Sequence, residues 1–195
     1  MILRDGTEVV IRPIRPDDKA ALERGFEQLS PASRYRRFLS PMNALTPRLL
    51  RYLTEVDHHS HEAIVAESAE KHEPIGVARY VRLSDDPAAA EVAVAVVDEW
   101  QGKGAGTELL ARLEERALEE GIERFVATCL ATNSEVLELL GEIGPIRTIG
   151  RANGTVDVEI ALPAGQQPEA PLRALLRRAA SGALAFKPPW SRSAA

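Results

Sequence analysis

The amino-acid sequence predicts an α/β (α+β) protein in which strands and amphipathic helices build one core. Short apolar runs rich in valine and isoleucine recur along the chain, and each has the length of a strand. Segments whose leucines repeat at helical spacing lie between them, most clearly at 107–121. With 195 residues, of which 45% are apolar and 27% charged, the chain is long enough for one domain with a sizeable core.

The N-terminal half is predicted to begin with a strand and to continue through helices that carry capping signals. Asp17 or Asp18 is placed to cap the first helix. Thr46 and Pro47 mark the start of the third, since proline fits the first helical position. In order, we expect a strand at 7–12, helices within 13–29, 30–41 and 45–57, and strands at 61–68 and 74–83.

The C-terminal half alternates strands and helices before it closes with a hairpin. Gly121 marks the end of the leucine-rich helix, and Asn133 or Ser134 caps the next one. Asn153 and Gly154 form a dipeptide that two-residue hairpin turns prefer. In order, we expect a strand at 90–97, a helix at 107–121, a strand at 122–130, a helix at 133–144 and strands at 146–150 and 155–162.

The composition argues against several classes of protein. A net charge of −5 with interspersed acidic and basic residues disfavours a dedicated nucleic-acid binder, which usually carries a basic face. The single cysteine, Cys129, rules out an intrachain disulfide framework and suits a reducing compartment. Residues 1–13 lack an apolar signal-peptide region, and the longest apolar run, 92–97, is too short to span a bilayer. We therefore expect a cytoplasmic protein.

The chain changes character at Pro163, which divides it into a predicted domain at 1–162 and a tail at 163–195. The tail begins with a linker rich in proline and glutamine, and the residues that follow predict a basic helix with one leucine face. That face predicts docking on the chain's own domain or on a partner, and it leaves a homodimer open. A basic amphipathic helix can also lie on a membrane surface. Because this one is short and rich in alanine, we favour a protein contact over membrane association.

Three glycines fall within five residues, at Gly102, Gly104 and Gly106, between a valine-rich strand and the leucine-rich helix. Clustered glycine costs conformational entropy, so something must approach this backbone closely. A helix N-terminus offers unsatisfied N–H groups and positive potential, which favour a phosphate or pyrophosphate. The spacing fails the Walker pattern because Gly104 follows Lys103, and it fails the dinucleotide pattern Gly-x-Gly-x-x-Gly. A flexible turn is the alternative.

The run from Gln101 to Gly106 fits the signature Gln/Arg-x-x-Gly-x-Gly/Ala, and the chain here resembles the GNAT acyltransferases, which bind acetyl-CoA at this loop. The resemblance covers about residues 7–162. It implies the GNAT fold, a central mixed, mostly antiparallel sheet of about six to seven strands flanked by helices. Residues 29–41, 45–57 and 90–110 are most similar to the acetyltransferase domain of bacterial Pat-type protein lysine acetyltransferases. Those proteins commonly carry a further domain, of which this sequence shows no sign.

The resemblance also implies which residues hold the cofactor. Backbone N–H groups of the glycine loop would bind the pyrophosphate, and Val94 and Val96 would pair with the pantetheine amides as an added strand does. Asn133 matches a position that commonly contacts the pantetheine arm. The cofactor-binding residues implied in this way are Val94, Val96, Gln101, Gly102, Lys103, Gly104, Ala105, Gly106, Thr107 and Asn133.

Glu91 matches the glutamate proposed as general base in the Pat-type enzymes; without that resemblance, its place at the start of a strand favours a solvated edge charge. A lysine amine, with a pKa of about 10.4, is almost fully protonated at neutral pH and must lose a proton before it attacks a thioester. Many GNAT enzymes also have a tyrosine, after the start of the Asn-led helix, that protonates the leaving thiolate. Residues 135–146 contain none. Another donor or water would have to serve, or turnover would be weak.

Other reactive side chains have simpler interpretations. Glu62 is a rival base, for which we expect a surface role instead. His58, His59 and His61 are expected to be ordinary loop histidines, with no metal. Cys129 lies in an apolar strand without an adjacent base, and we expect a buried thiol.

The cations near the predicted site leave alternatives open. Lys103 is either a solvated loop charge or a phosphate contact, and its place inside the glycine run favours the contact. Arg34, Arg36 and Arg37 form either a solvated face or an attraction for an acidic substrate or the CoA phosphates; the sequence does not separate these two.

Two hypotheses about function follow. We favour an N-acetyltransferase that moves the acetyl group of acetyl-CoA to a primary amine by direct attack in a ternary complex. The acceptor is a protein lysine by resemblance, or a small amine. The alternative is a non-catalytic acyl-CoA-binding module. The missing tyrosine favours the module, and Glu91 favours the enzyme.

Overall fold

A computed structural model describes residues 1–163, so the predicted tail lies outside the described residues apart from Pro163. Within this part, two short 3-10 turns at Pro16–Asp18 and Asp98–Trp100 accompany the regular elements. The strands are β1 (Val9–Pro13), β2 (His61–Ser68), β3 (Pro74–Arg82), β4 (Ala89–Val96), β5 (Arg124–Leu130), β6 (Ile146–Ala152) and β7 (Thr155–Ala161). The helices are α1 (Lys19–Glu27), α2 (Pro31–Phe38), α3 (Pro47–Thr54), α4 (Ala105–Glu119) and α5 (Ser134–Gly141).

The seven described strands form one sheet in the order β1-β2-β3-β4-β5-β7-β6. Neighbouring strands run antiparallel except for β4 and β5, which are parallel. The parallel pair arises because α4 carries the chain from the end of β4 back to the start of β5, as a parallel connection requires. The predicted mixed, mostly antiparallel sheet flanked by helices is confirmed.

Helices cover both faces of the sheet. On one face, the leucine stripe of α4, including Leu109 and Leu113, is buried in a core shared with Tyr80 and Phe125 of the strands. Helices α1, α2 and α3 enclose a smaller core, formed by Phe26, Leu29, Leu45, Leu50 and Leu53. Successive strand residues point to opposite faces. Tyr80 therefore faces α4, whereas the preceding residue faces α3.

Local signals mark most element ends as predicted. The Thr46 hydroxyl accepts the Leu49 N–H at 3.2 Å at the start of α3, and the Asn133 side chain caps α5. Gly121 ends α4 with φ +77°. Asn153 and Gly154 both have positive φ, at 48° and 80°, as a type I′ hairpin turn between β6 and β7 requires. None of the helices in the described part of the chain has the length and hydrophobicity needed to cross a bilayer.

The start of α1 differs from the prediction of a side-chain cap at Asp17 or Asp18. Asp18 occupies the position before the helix, but its side chain makes no capping hydrogen bond to α1. Its carboxylate instead accepts the Arg15 N–H at 2.7 Å and pairs with Arg12. A 3-10 turn precedes α1, so the carboxylate satisfies the start of that turn rather than the start of the helix.

Candidate active site

The parallel strands β4 and β5 separate soon after they meet, and this separation makes the main cleft. Within the described residues they pair only at 89–91 with 124–126. Beyond that point β4 remains paired with β3, and β5 remains paired with β7. Residues 92–96 and 127–130 therefore face each other without a shared ladder, which leaves main-chain groups available to a ligand.

The gap between the two strands belongs to a cleft of about 460 Å³, which α2, α5 and the glycine loop also line. The structure brings most of the predicted cofactor-binding residues together here. Ala105 and Lys103 belong to the same loop, but Ala105 is buried in the core and Lys103 contacts the N-terminal turn. The predicted residues in the cleft lining are Val94, Val96, Gln101, Gly102, Gly104, Gly106, Thr107 and Asn133.

The glycine loop has the backbone that an anion site needs. Gly102 and Gly104 have φ of +73° and +94°, a conformation that glycine adopts without steric cost. A Cβ at Gly106 would lie 3.0 Å from Leu139 Cδ2, so a side chain there would displace Leu139 in the cleft wall. Helix α4 begins directly at Ala105, so the N–H groups of its first turn have no acceptor within the helix. Together with the helix dipole, these groups fit a pyrophosphate.

Two cations lie beside this loop, and they differ in whether other side chains already engage them. Lys103 Nζ is 3.1 Å from the Asp5 carboxylate and 4.5 Å from the centre of the Trp100 ring, so other groups already engage it. Arg4 donates its main-chain N–H to the Lys103 carbonyl, and its side chain lines the cleft next to Gly104. The Arg4 side chain makes no ion pair within residues 1–163. Sequence reasoning missed Arg4, because only the folding of the N-terminal turn brings it to the loop.

Three other predicted residues hold the walls of the cleft together. Gln101 Nε2 donates to the Val96 carbonyl at 2.9 Å, so this carbonyl, expected to face pantetheine, has a partner. The Thr107 hydroxyl donates to Glu142 at 2.9 Å, just beyond α5, and thereby ties α4 to the end of that helix. Asn133 uses its side-chain oxygen to cap α5. The walls are thus fixed by the same residues that were expected to bind the cofactor.

Glu91 and Glu62 lie on opposite faces of the sheet. Glu91 is in register with Val81, which is in register with His61, so these side chains share the face covered by α2 and α3. Glu91 is also the last residue of β4 that pairs with β5, and its side chain is exposed. It therefore stands where the two strands begin to separate, beside the cleft.

The expected surface role of Glu62 is wrong. Its side chain is only 1% exposed and lies on the α4 face. The carboxylate accepts the Ala63 N–H at 2.9 Å, and it pairs with His58 at 2.7 Å and with Arg116 at 3.3 Å. A carboxylate can be buried when charged groups and hydrogen bonds compensate for lost hydration. The partners come from the 58–62 turn and from α4, which the sequence alone does not place together.

The histidines of the 58–61 segment have separate partners. His58 pairs with Glu62, and His59 contacts Glu120. His61 Nε2 accepts from Arg79 at 3.0 Å, and burial together with the Arg79 charge lowers the pKa of His61 to about 4. Within residues 1–163, no group of three or more histidine, cysteine or carboxylate side chains is placed to hold a metal ion.

The structure distinguishes the three arginines of α2. Arg34 donates to main-chain carbonyls, including that of Leu29 at 3.0 Å, and so has a structural role. Arg36 is exposed in the cleft lining, 3.6 Å from Glu135. Arg37 is half-buried and also lines the cleft.

Cys129 is a free, buried thiol in the cleft wall, as expected. Burial, followed by the nearby Asp157 charge, raises the pKa of Cys129. Because the thiolate is the nucleophilic form, the raised pKa disfavours a covalent acyl step on this residue.

Comparisons with known proteins agree with this architecture. The sequence profile of the acetyltransferase (GNAT) family matches residues 25–144. An acetyltransferase of Pseudomonas aeruginosa is 32% identical over 145 residues, which cover 73% of this chain and 77% of that protein. The acetyltransferase Pat of Mycolicibacterium smegmatis is 32% identical over 83% of this chain, which spans only 48% of its length. The crystal structure of the GNAT domain of S. lividans PAT superposes with a TM-score of 0.76 at 32% identity, covering 83% of this chain and 95% of that domain.

The chain belongs to the GNAT acetyltransferase family, which confirms the family membership that the sequence resemblance implied. It is an acetyltransferase of this family, acting on acetyl-CoA. The chain spans about half the length of the M. smegmatis relative and about three quarters of the P. aeruginosa relative.

Proposed function

We propose that the protein transfers the acetyl group of acetyl-CoA to a primary amine, namely the side chain of a protein lysine. The amine attacks the thioester directly in a ternary complex, with Glu91 as general base. The position of Glu91 carries this proposal. Glu91 stands where β4 and β5 begin to separate, and its side chain is exposed. The acyl end of an acetyl-CoA molecule bound along β4 would reach solvent at this point. The lysine acceptor rests on the sequence resemblance to the Pat-type domain.

Acetyl-CoA would enter the cleft as a substrate. The N–H groups at 102–107 and the guanidinium of Arg4 would hold the pyrophosphate, with Lys103 adding positive potential. Main-chain groups at Val94 and Val96, on the edge of β4 that β5 leaves free, would bind the pantetheine arm as an added strand does. The Asn133 amide faces the same cleft from the start of α5.

The transfer needs two proton movements and no covalent enzyme intermediate. Glu91 takes one proton from the acceptor ammonium, which frees the nitrogen lone pair. The nitrogen attacks the thioester carbonyl, the C–N bond forms and the C–S bond breaks. The nitrogen then loses its second proton. Water carries this proton to the CoA sulfur, because α5 offers no tyrosine.

Turnover measurements on Glu91→Gln test the proposal. Acetyl-CoA would be supplied with a panel of proteins and small amines, and mass spectrometry would locate the acetyl group. We expect wild type to acetylate lysine side chains and Glu91→Gln to be slower by roughly 10²–10⁴-fold. The loss should shrink at alkaline pH, where the amine deprotonates unaided.

Calorimetry provides the control, because Glu91→Gln should bind acetyl-CoA as wild type does. Equal neutral-pH turnover in both proteins, with chemistry limiting the rate, would remove Glu91 from the mechanism. Binding of acetyl-CoA without transfer to any acceptor would favour the non-catalytic binding module.

A further inference from the structure

A second cavity, of about 70 Å³, lies on the face of the sheet that α1, α2 and α3 cover. Its lining is mostly apolar, from α1, α2, α3, β3 and β4, and includes Phe26 and Leu53. One water needs about 10–15 Å³ of such volume, so the cavity has room for a short chain of atoms. It shares Leu29, Arg37 and Ala95 with the main cleft. The cavity therefore lies next to the part of β4 along which the pantetheine arm is proposed to bind.

Two guanidinium groups, those of Arg37 and Arg79, line this apolar cavity. Arg79 is only 5% exposed; it donates to His61 at 3.0 Å and to the Leu53 carbonyl at 3.1 Å, and its Nε has no hydrogen-bond partner. Within residues 1–163, no carboxylate lies within 4.0 Å of either guanidinium. Glu91 acts on Arg37 only from a longer range, and burial dominates by lowering the pKa of Arg37.

A buried cation beside a half-buried one, neither with a paired anion, is costly, and a ligand that brings an anion relieves that cost. The acceptor amine does not suit this place, because its ammonium form would be repelled by both guanidiniums. An acyl chain fits better: apolar walls suit methylenes, and the arginines suit an anionic end. We propose that Arg37 and Arg79 form an acyl-recognition site for donors whose short acyl chain ends in a carboxylate, such as a succinyl group.

This inference rests on the proposed acyl-CoA site, and calorimetry on the full-length chain tests both. CoA, butyryl-CoA and succinyl-CoA would be titrated into wild type. The two acyl groups have the same number of carbons and differ at the terminal carboxylate. Charge-assisted hydrogen bonds to two arginines should make succinyl-CoA bind at least about tenfold more tightly than butyryl-CoA.

Arg37→Met and Arg79→Met should each reduce this preference towards unity. Arg112→Met is the matched control, because Arg112 is exposed on α4 and, among residues 1–163, forms an ion pair only with Glu115; it should keep the preference. Arg37 is half-buried and near the end of a helix, so Arg37→Met provides the test even if Arg79→Met does not fold.

Each other outcome contradicts the inference. Equal affinities for succinyl-CoA and butyryl-CoA in wild type would overturn it while leaving the proposed function standing. A preference that survives in folded Arg37→Met would place the carboxylate elsewhere. Failure of CoA itself to bind would overturn the proposed function as well.

Discussion

At the scale of single residues, Glu62 and Glu91 show how sheet register separates two similar side chains. Both lie near the start of a strand rich in alanine and valine, and both were candidates for the general base. Register places Glu62 opposite Tyr80, facing α4, and Glu91 opposite Val81, facing α2 and α3. One is buried among charged partners, and the other is exposed at the cleft.

Substitution of Glu62 should therefore affect stability rather than chemistry. Glu62→Gln removes the negative charge that pairs with Arg116 and weakens the contact with His58, and we expect a loss of about 1–3 kcal/mol in the free energy of unfolding. Urea unfolding measures the loss, and calorimetry should find acetyl-CoA affinity unchanged. A Glu62→Gln protein of normal stability that turned over as slowly as Glu91→Gln would contradict this assignment.

At the scale of elements, the glycine loop and α4 form one unit. The left-handed backbone at Gly104 turns the chain so that the first turn of α4 faces the cleft. The side chain of Arg4 lies 3.5 Å from the position of a Cβ at Gly104, an ordinary contact distance. A side chain at this position would therefore fit between neighbours but would occupy part of the anion site.

Gly104→Val should abolish CoA binding and also lower stability, because a β-branched residue is strained at φ +94°. Gly121→Val is the matched control: Gly121 has φ +77°, has no neighbour within 4 Å and lies at the other end of α4. Both variants should lower the melting temperature, whereas calorimetry should show lost CoA affinity only for Gly104→Val. Equal CoA affinity in the two folded variants would remove the loop from the site.

At the scale of the whole molecule, the sheet divides the protein into two cores of different character. The α4 side is closed by aliphatic and aromatic packing, and its buried carboxylate, Glu62, is paired with Arg116. The α3 side contains buried charge, with His61 held neutral beside Arg79 and under the Tyr52 ring. Stability should therefore depend on pH through the second core.

The pH dependence has a definite sign. Native His61 has a pKa of about 4, below the ordinary value of 6.5, so between these values the unfolded chain binds the extra proton. Stability should fall as the pH drops from about 6.5 towards 4. His61→Gln keeps an acceptor for Arg79 but does not titrate, so its melting temperature should fall less over this window. Parallel curves for the two proteins would contradict the prediction.

The predicted tail gives a second test at this scale. The described cleft lining runs from Arg4 to Glu142, and both cores close within residues 1–163. A chain ending at Pro163 should therefore bind acetyl-CoA as the full chain does, which calorimetry measures. Sedimentation velocity on both chains would report any change in oligomeric state. A folded, truncated chain that failed to bind acetyl-CoA would place part of the site in the tail.

The sequence by itself determined the features that depend on neighbouring residues. Periodicity located the strands and helices, Thr46, Asn133 and Gly121 marked their ends, and the resemblance of Gln101 to Gly106 to the GNAT signature predicted a cofactor loop. These signals are local because a cap, a turn or a glycine conformation involves only a few adjacent residues.

Tertiary structure decided what depends on distant contacts. Sheet register buried Glu62 and exposed Glu91, the N-terminal turn engaged Lys103 and brought Arg4 to the loop, and packing of α2 and α3 against β3 enclosed Arg37 and Arg79. A one-residue change of register reverses the face of every side chain in a strand. The burial and partners of a charge, and hence its role, therefore follow from how the strands and helices meet, which residue type and spacing do not specify.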